Sequence, residues 1–113
     1  MLPVGGGGLS AGITRYYREQ PDAPELIFTE PAGGASLKAA LQQGAQVTLP
    51  KVNNFVDGAA VARIGDRNFE ALKHSSPDQV YPVSEDRLCT TMNQMLNIDG
   101  IVLEPAGALS IAV

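Results

Sequence analysis

Four consecutive glycines, Gly5 to Gly8, stand between the short apolar run Leu2, Pro3, Val4 and a helical pattern, and they constrain this chain more than any other stretch. Glycine loses more conformational freedom on folding than any other residue. A run of it is kept where the backbone must take positive φ or come very close to another group. A strand that runs into glycines and then into a helix gathers several backbone N–H groups around one concave spot, beside the helix end that carries partial positive charge. Side chains at positions 5 to 8 would block the close approach of an anion, so binding there is the work of the main chain. The loop has neither the Lys and Ser/Thr of a triphosphate loop nor G-x-G-x-x-G spacing. It points to a small phosphorylated ligand. A plain tight strand-to-helix connection explains the glycines equally well when they are read alone.

The rest of the chain alternates short β-like runs with helical ones. Residues 2–4 read as a strand stub, and Leu9, Ile13 and Tyr17 recur at helical spacing until Pro21. Residues 26–30 (LIFTE) and 79–83 (QVYPV) read as strands, and IVLE at 101–104 as another strand-like run. Between them, Leu37, Ala40 and Leu41 share a helix face, with Ser36 near its start and Gly44 at its terminating turn. Asp66 is placed as the N-cap of RNFEALKH, and Ser84 as the cap of a helix whose core stripe is Leu88, Met92, Met95 and Leu96. The segment 46–61 holds one short strand at best and a loop closed by Asp57-Gly58, and AGALSIAV begins a small-residue helix. This order predicts an α/β fold, an open and mostly parallel sheet with helices on its faces. The three-residue first strand and the uncapped last helix read as the ends of part of a domain.

Composition removes several functions. The net charge is −4 and the eight Lys and Arg are scattered, which leaves no basic stripe for nucleic acid. The longest apolar stretch is broken by Glu104 and Pro105, so no membrane span is expected. One cysteine cannot form an internal disulfide, and no basic-then-apolar leader precedes Gly5, so a cytoplasmic location is expected. Cys89 is read as a buried small hydrophobe, His74 as a group stabilising a helix C-terminus, and Tyr16 and Tyr17 as covering the sheet or an interface.

Four stretches taken together, PVGGGGLSAG, TEPAGGASLKAAL, NFVDGAAVARIGD and LEPAGALSIA, resemble the catalytic domain of biosynthetic threonine dehydratases (threonine ammonia-lyases). These are pyridoxal-phosphate enzymes of the tryptophan-synthase-β type, fold type II. The resemblance implies that Gly5, Gly6, Gly7, Gly8 and Leu9 hold the phosphate of pyridoxal 5′-phosphate, that Gly58 touches the cofactor beside its ring, and that Glu104 supplies a carboxylate near the ring. It implies conversion of threonine to 2-oxobutanoate and ammonia, within isoleucine biosynthesis, with the cofactor as electron sink. Serine/threonine dehydratases and serine racemases are the alternatives within the family.

The departures matter as much. The family's Schiff-base lysine lies upstream of the glycine loop in an S-x-K-x-R-G-type stretch. Here only Lys38, Lys51 and Lys73 occur, none in that setting, and Lys38 is read as solvated. The chain is therefore expected to be a slice of the large cofactor domain, without a catalytic residue of its own and inactive alone. Homo-oligomerisation or pairing with the missing part of the domain is expected. The competing reading is a non-catalytic remnant, an anion-binding or self-associating module. Serine racemases bind a divalent cation through a glutamate at the position of Glu30, a carbonyl and a later acid. Ser36 takes the place of that acid here, so Glu30 is only a weak metal candidate and no metal is expected.

Overall fold

A computed structural model describes all residues, 1–113. Three parallel strands form one sheet in the order β1 (Leu2–Pro3), β2 (Phe28–Pro31), β3 (Val80–Val83). Leu2 pairs with Phe28, and Phe28 in turn with Val80, so the strands start level. Helices α1 (Gly8–Arg18), α2 (Ser36–Gln43) and α3 (Asp66–Leu72) lie between the strands in sequence, and α4 (Glu85–Gln94) and the short α5 (Pro105–Ala108) follow β3.

The core is in two parts. Val4, Phe28, Leu37, Ile64, Leu72 and Val80 belong to the larger cluster, whereas Val83 joins Leu88, Ala108 and Leu109 in the smaller one. Residues three apart on a strand point to opposite faces, so Val80 and Val83 commit the sheet to helices on both sides. No helix is long and apolar enough to cross a membrane.

Local chemistry explains the well-placed elements. Gly44 closes α2 at φ 71, and the Ser84 hydroxyl accepts from the Arg87 amide at the start of α4. Other expectations are corrected. Helix α1 turns Ser10, Ala11 and Thr14 inward and leaves Leu9 exposed, because it packs against α3 through small residues. Arg15 and Arg18 bridge the pair by donating to the carbonyls of Arg67 and Ala71. Residues 101–104 form no strand, since no ladder partner lies beside them, and Val102 is 82% exposed. The segment 46–61 has no strand but a 3-10 turn over Asn54–Ala59. Gly65, not Asp66, caps α3. Leu96 is exposed beyond the end of α4, and Cys89 is exposed one position round the helix from buried Leu88. The Lys38 ammonium is not free in solvent; it donates to the Val80 carbonyl at 2.8 Å.

Candidate functional site

The carboxyl end of β1 opens into a cleft of about 330 Å³. The Gly5–Leu9 loop lines it together with Gly58, Glu104 and Ala106. Every position that the sequence pointed to for the cofactor thus falls on one cavity, although they span a hundred residues. They meet because α5 packs against the 3-10 turn Asn54–Ala59. A Cβ on Gly58 would stand 3.0 Å from the Ala106 Cβ and 3.5 Å from a Glu104 carboxylate oxygen, so Gly58 and Glu104 are immediate neighbours.

The loop presents a continuous row of donors. None of the amides from Gly5 through Ser10 has an acceptor in the protein; the first to find one is Ala11, on the Gly7 carbonyl at 2.9 Å. A helix always leaves its first-turn amides unpaired, but here Gly5, Gly6 and Gly7 extend the row upstream of the helix. Helix α1 has no side-chain cap and no acid in its first turn, so nothing in its own first turn compensates its partial positive charge.

The glycines divide by the reason each is needed. Gly7 has φ 85, and a Cβ there would lie 2.6 Å from the Ile64 Cδ1. At Gly5 a Cβ would come within 3.0 Å of the Ala59 Cα. The protein itself thus demands glycine at 5 and 7. At Gly6 and Gly8 a Cβ would meet nothing within 4 Å, and neither has positive φ. Both line the cleft, so what a side chain would obstruct there is the cavity itself.

The remaining candidates lie elsewhere. Glu30 is fully buried, and its Oε1 and Oε2 accept from the amides of Leu37 at 2.7 Å and Lys38 at 3.0 Å. Burial pushes its pKa up to about 7, against the opposing pull of the two amide bonds and the Lys38 charge. Both oxygens are committed to α2, and no cluster of three or more His, Cys, Asp or Glu is arranged to hold a metal. None of the three lysines lines the cleft: Lys38 reaches β3, Lys73 pairs with Glu70, and Lys51 is exposed. Ile64, Gly65 and Asn68, which support the loop from behind, were not visible as site residues, because nothing in their local sequence marks contact with a loop sixty residues away.

A parallel α/β sheet with a main-chain donor row at a strand's carboxyl end is the architecture of a ligand-binding crevice. The chain belongs to the family of pyridoxal-phosphate dependent enzymes, which it matches over residues 1–113, and pyridoxal 5′-phosphate is that family's cofactor. It is 45% identical over 113 residues to the biosynthetic L-threonine dehydratase IlvA of Corynebacterium glutamicum, a match covering 99% of this chain and 26% of the relative. Among solved structures, processed threonine deaminase isoform 2 from Solanum lycopersicum superposes with a TM-score of 0.90 at 33% identity, over 98% of this chain and 32% of that one. Maize serine racemase superposes with a TM-score of 0.88 at 25% identity, over 98% and 34%. The chain spans about a quarter of the length of the curated relative it matches.

Proposed function

We propose that these residues are the cofactor-phosphate segment of a threonine dehydratase that forms 2-oxobutanoate and ammonia in isoleucine biosynthesis, in the cytoplasm. The observation that carries the reading is the row of unpaired amides from Gly5 to Ser10, of which Gly5 to Leu9 line a cleft whose glycines at 6 and 8 serve no need of the protein itself. Those donors suit a doubly negative phosphate ester, and a neutral turn has no use for them.

Bound there, pyridoxal phosphate supplies the electron sink for loss of the substrate's Cα proton. The chain's own contribution is position and charge. The amides would hold the phosphate end, and Gly58 and Glu104, side by side on the same cleft, would contact the rest of the cofactor. The Glu104 carboxylate brings negative charge to the wall of the cleft beside Gly58. Covalent anchoring falls to a lysine outside these residues, since their own three lysines stand away from the cleft. The edges of β1 and β3 and the exposed Ile98, Ile101 and Val102 give the surface on which the rest of such a domain, or a second subunit, packs.

The test is Gly8→Ala in a full-length dehydratase carrying these 113 residues at the corresponding position. Ala suits a helix start, so the apoenzyme's melting temperature should hold or rise. The Kd for pyridoxal phosphate should rise about tenfold, by obstruction of a charge-assisted site, while that for pyridoxal, which has no phosphate, stays within about twofold. Unchanged affinity for pyridoxal phosphate rules the reading out.

A further inference from the structure

The donor row needs something to hold its orientation, because glycines resist no peptide rotation. We propose that Asn68, at the start of α3, is a positioning residue for the phosphate cradle: it holds back the Gly6 carbonyl and thereby aims the Gly7 amide into the cleft. The inference rests on the reading of the cleft as a phosphate site.

The geometry is specific. The Gly6 carbonyl accepts from Asn68 Nδ2 at 2.7 Å and from the Gly65 amide at 3.2 Å. Both donors belong to the N-terminal end of α3, which stands behind the loop. A trans peptide is planar, with its C=O and N–H pointing in opposite directions. Fixing the Gly6 oxygen toward α3 therefore points the Gly7 hydrogen away from α3. On that side the Gly7 amide meets no protein acceptor, and Gly7 lines the cleft.

The neighbours are shaped for the same end. A Cβ on Gly65 would lie 2.9 Å from Asn68 Nδ2 and 3.4 Å from the Gly6 oxygen, so a side chain there would push the asparagine off its acceptor. Ile64, fully buried, fills the space below Gly7 and leaves no room for a Cβ. Asn68 thus does through the main chain what no side chain in the cleft does: it sets the direction of a ligand-facing donor.

Asn68→Asp tests this with almost no change of shape, because it replaces the donor by a carboxylate oxygen facing a carbonyl oxygen. Asn68→Ala removes the donor and leaves the Gly65 amide in place. Apoenzyme of a full-length dehydratase carrying the chain is titrated with pyridoxal phosphate and, separately, with pyridoxal. The expected result is a loss of about tenfold or more in affinity for pyridoxal phosphate in Asn68→Asp and about threefold in Asn68→Ala, with pyridoxal affinity and apoenzyme melting temperature unchanged in at least the alanine variant. Equal losses for the two ligands would show a merely structural role and overturn the proposal. So would intact phosphate selectivity in both Asn68 variants when Gly8→Ala loses it, which leaves the cleft reading standing. If Gly8→Ala and the Asn68 variants all keep phosphate selectivity, the cleft reading fails and this inference fails with it.

Discussion

Two strand-to-helix turns in this chain solve the same electrostatic problem in opposite ways. After β2, the N-terminus of α2 meets the buried Glu30 carboxylate, which takes the Leu37 and Lys38 amides on its two oxygens. After β1, the N-terminus of α1 meets nothing from the protein: no cap, no acid in the first turn, and a row of amides without acceptors. The turn after β3 is intermediate, with Ser84 on the Arg87 amide and Glu85 and Asp86 in the first turn. A helix start that the protein closes for itself carries its own acceptor. The start of α1, with no capping side chain and no acid in its first turn, leaves the place that an external anion would take under the proposed function. The sequence contrast, TEPAGGASLK against PVGGGGLSAG, is that division written in residues.

The largest effect that could break this contrast is Glu30→Ala. It orphans two amides at a buried helix start and leaves a cavity, so unfolding in urea should show a loss of about 4 kcal/mol. A loss below about 1 kcal/mol would mean that α2 does not depend on an internal acceptor, and the contrast with α1 would collapse.

A smaller effect follows from titration of the same group. The folded pKa of Glu30 is raised from 4.5 to about 7, so between these values the folded state holds a proton that the unfolded state has lost. Its stabilising contribution is complete below pH 4.5 and falls as pH rises through about 7. The loss is on the order of 3 kcal/mol across that window. The difference between the wild-type and Glu30→Gln stability profiles isolates it. A difference that is flat with pH, or that rises, would show the two amide bonds outweighing burial, with the carboxylate charged throughout.

Much of this was legible in the sequence, for identifiable reasons. The strands at Phe28–Pro31 and Val80–Val83, the Gly44 stop and the Ser84 cap are local: apolar run, bounding prolines, one turn residue. Convergence of the glycine loop, Gly58 and Glu104 came from resemblance to a family, since no short-range pattern ties residue 5 to residue 104. What periodicity and composition leave open is the partner. Leu9, Ile13 and Tyr17 have helical spacing, yet α1 buries Ser10, Ala11 and Thr14, because its neighbour α3 approaches too closely for large side chains. IVLE has strand composition, and composition cannot supply the adjacent strand that would make a ladder. Glu30 illustrates the same limit in its chemistry: no local pattern announces that its two oxygens accept from the Leu37 and Lys38 amides of α2.

The smallest effect separates, within the glycine loop itself, what the fold requires from what a ligand requires. Gly44 and Gly7 both have positive φ, 71 and 85, but a Cβ at Gly44 meets nothing whereas one at Gly7 collides with Ile64. Gly44→Ala should therefore cost about 1 kcal/mol, from the left-handed backbone alone. Gly7→Ala should cost about 2 kcal/mol, because displacement of a fully buried isoleucine adds to it. Gly8→Ala, with neither feature, should cost no stability. Thermal unfolding of the apo form ranks the three directly. Should Gly8→Ala destabilise as much as Gly7→Ala, glycine at position 8 would be a demand of the fold. The bareness of the turn after β1 would then owe nothing to an anion, and β1 to α1 would be only a tighter version of β2 to α2.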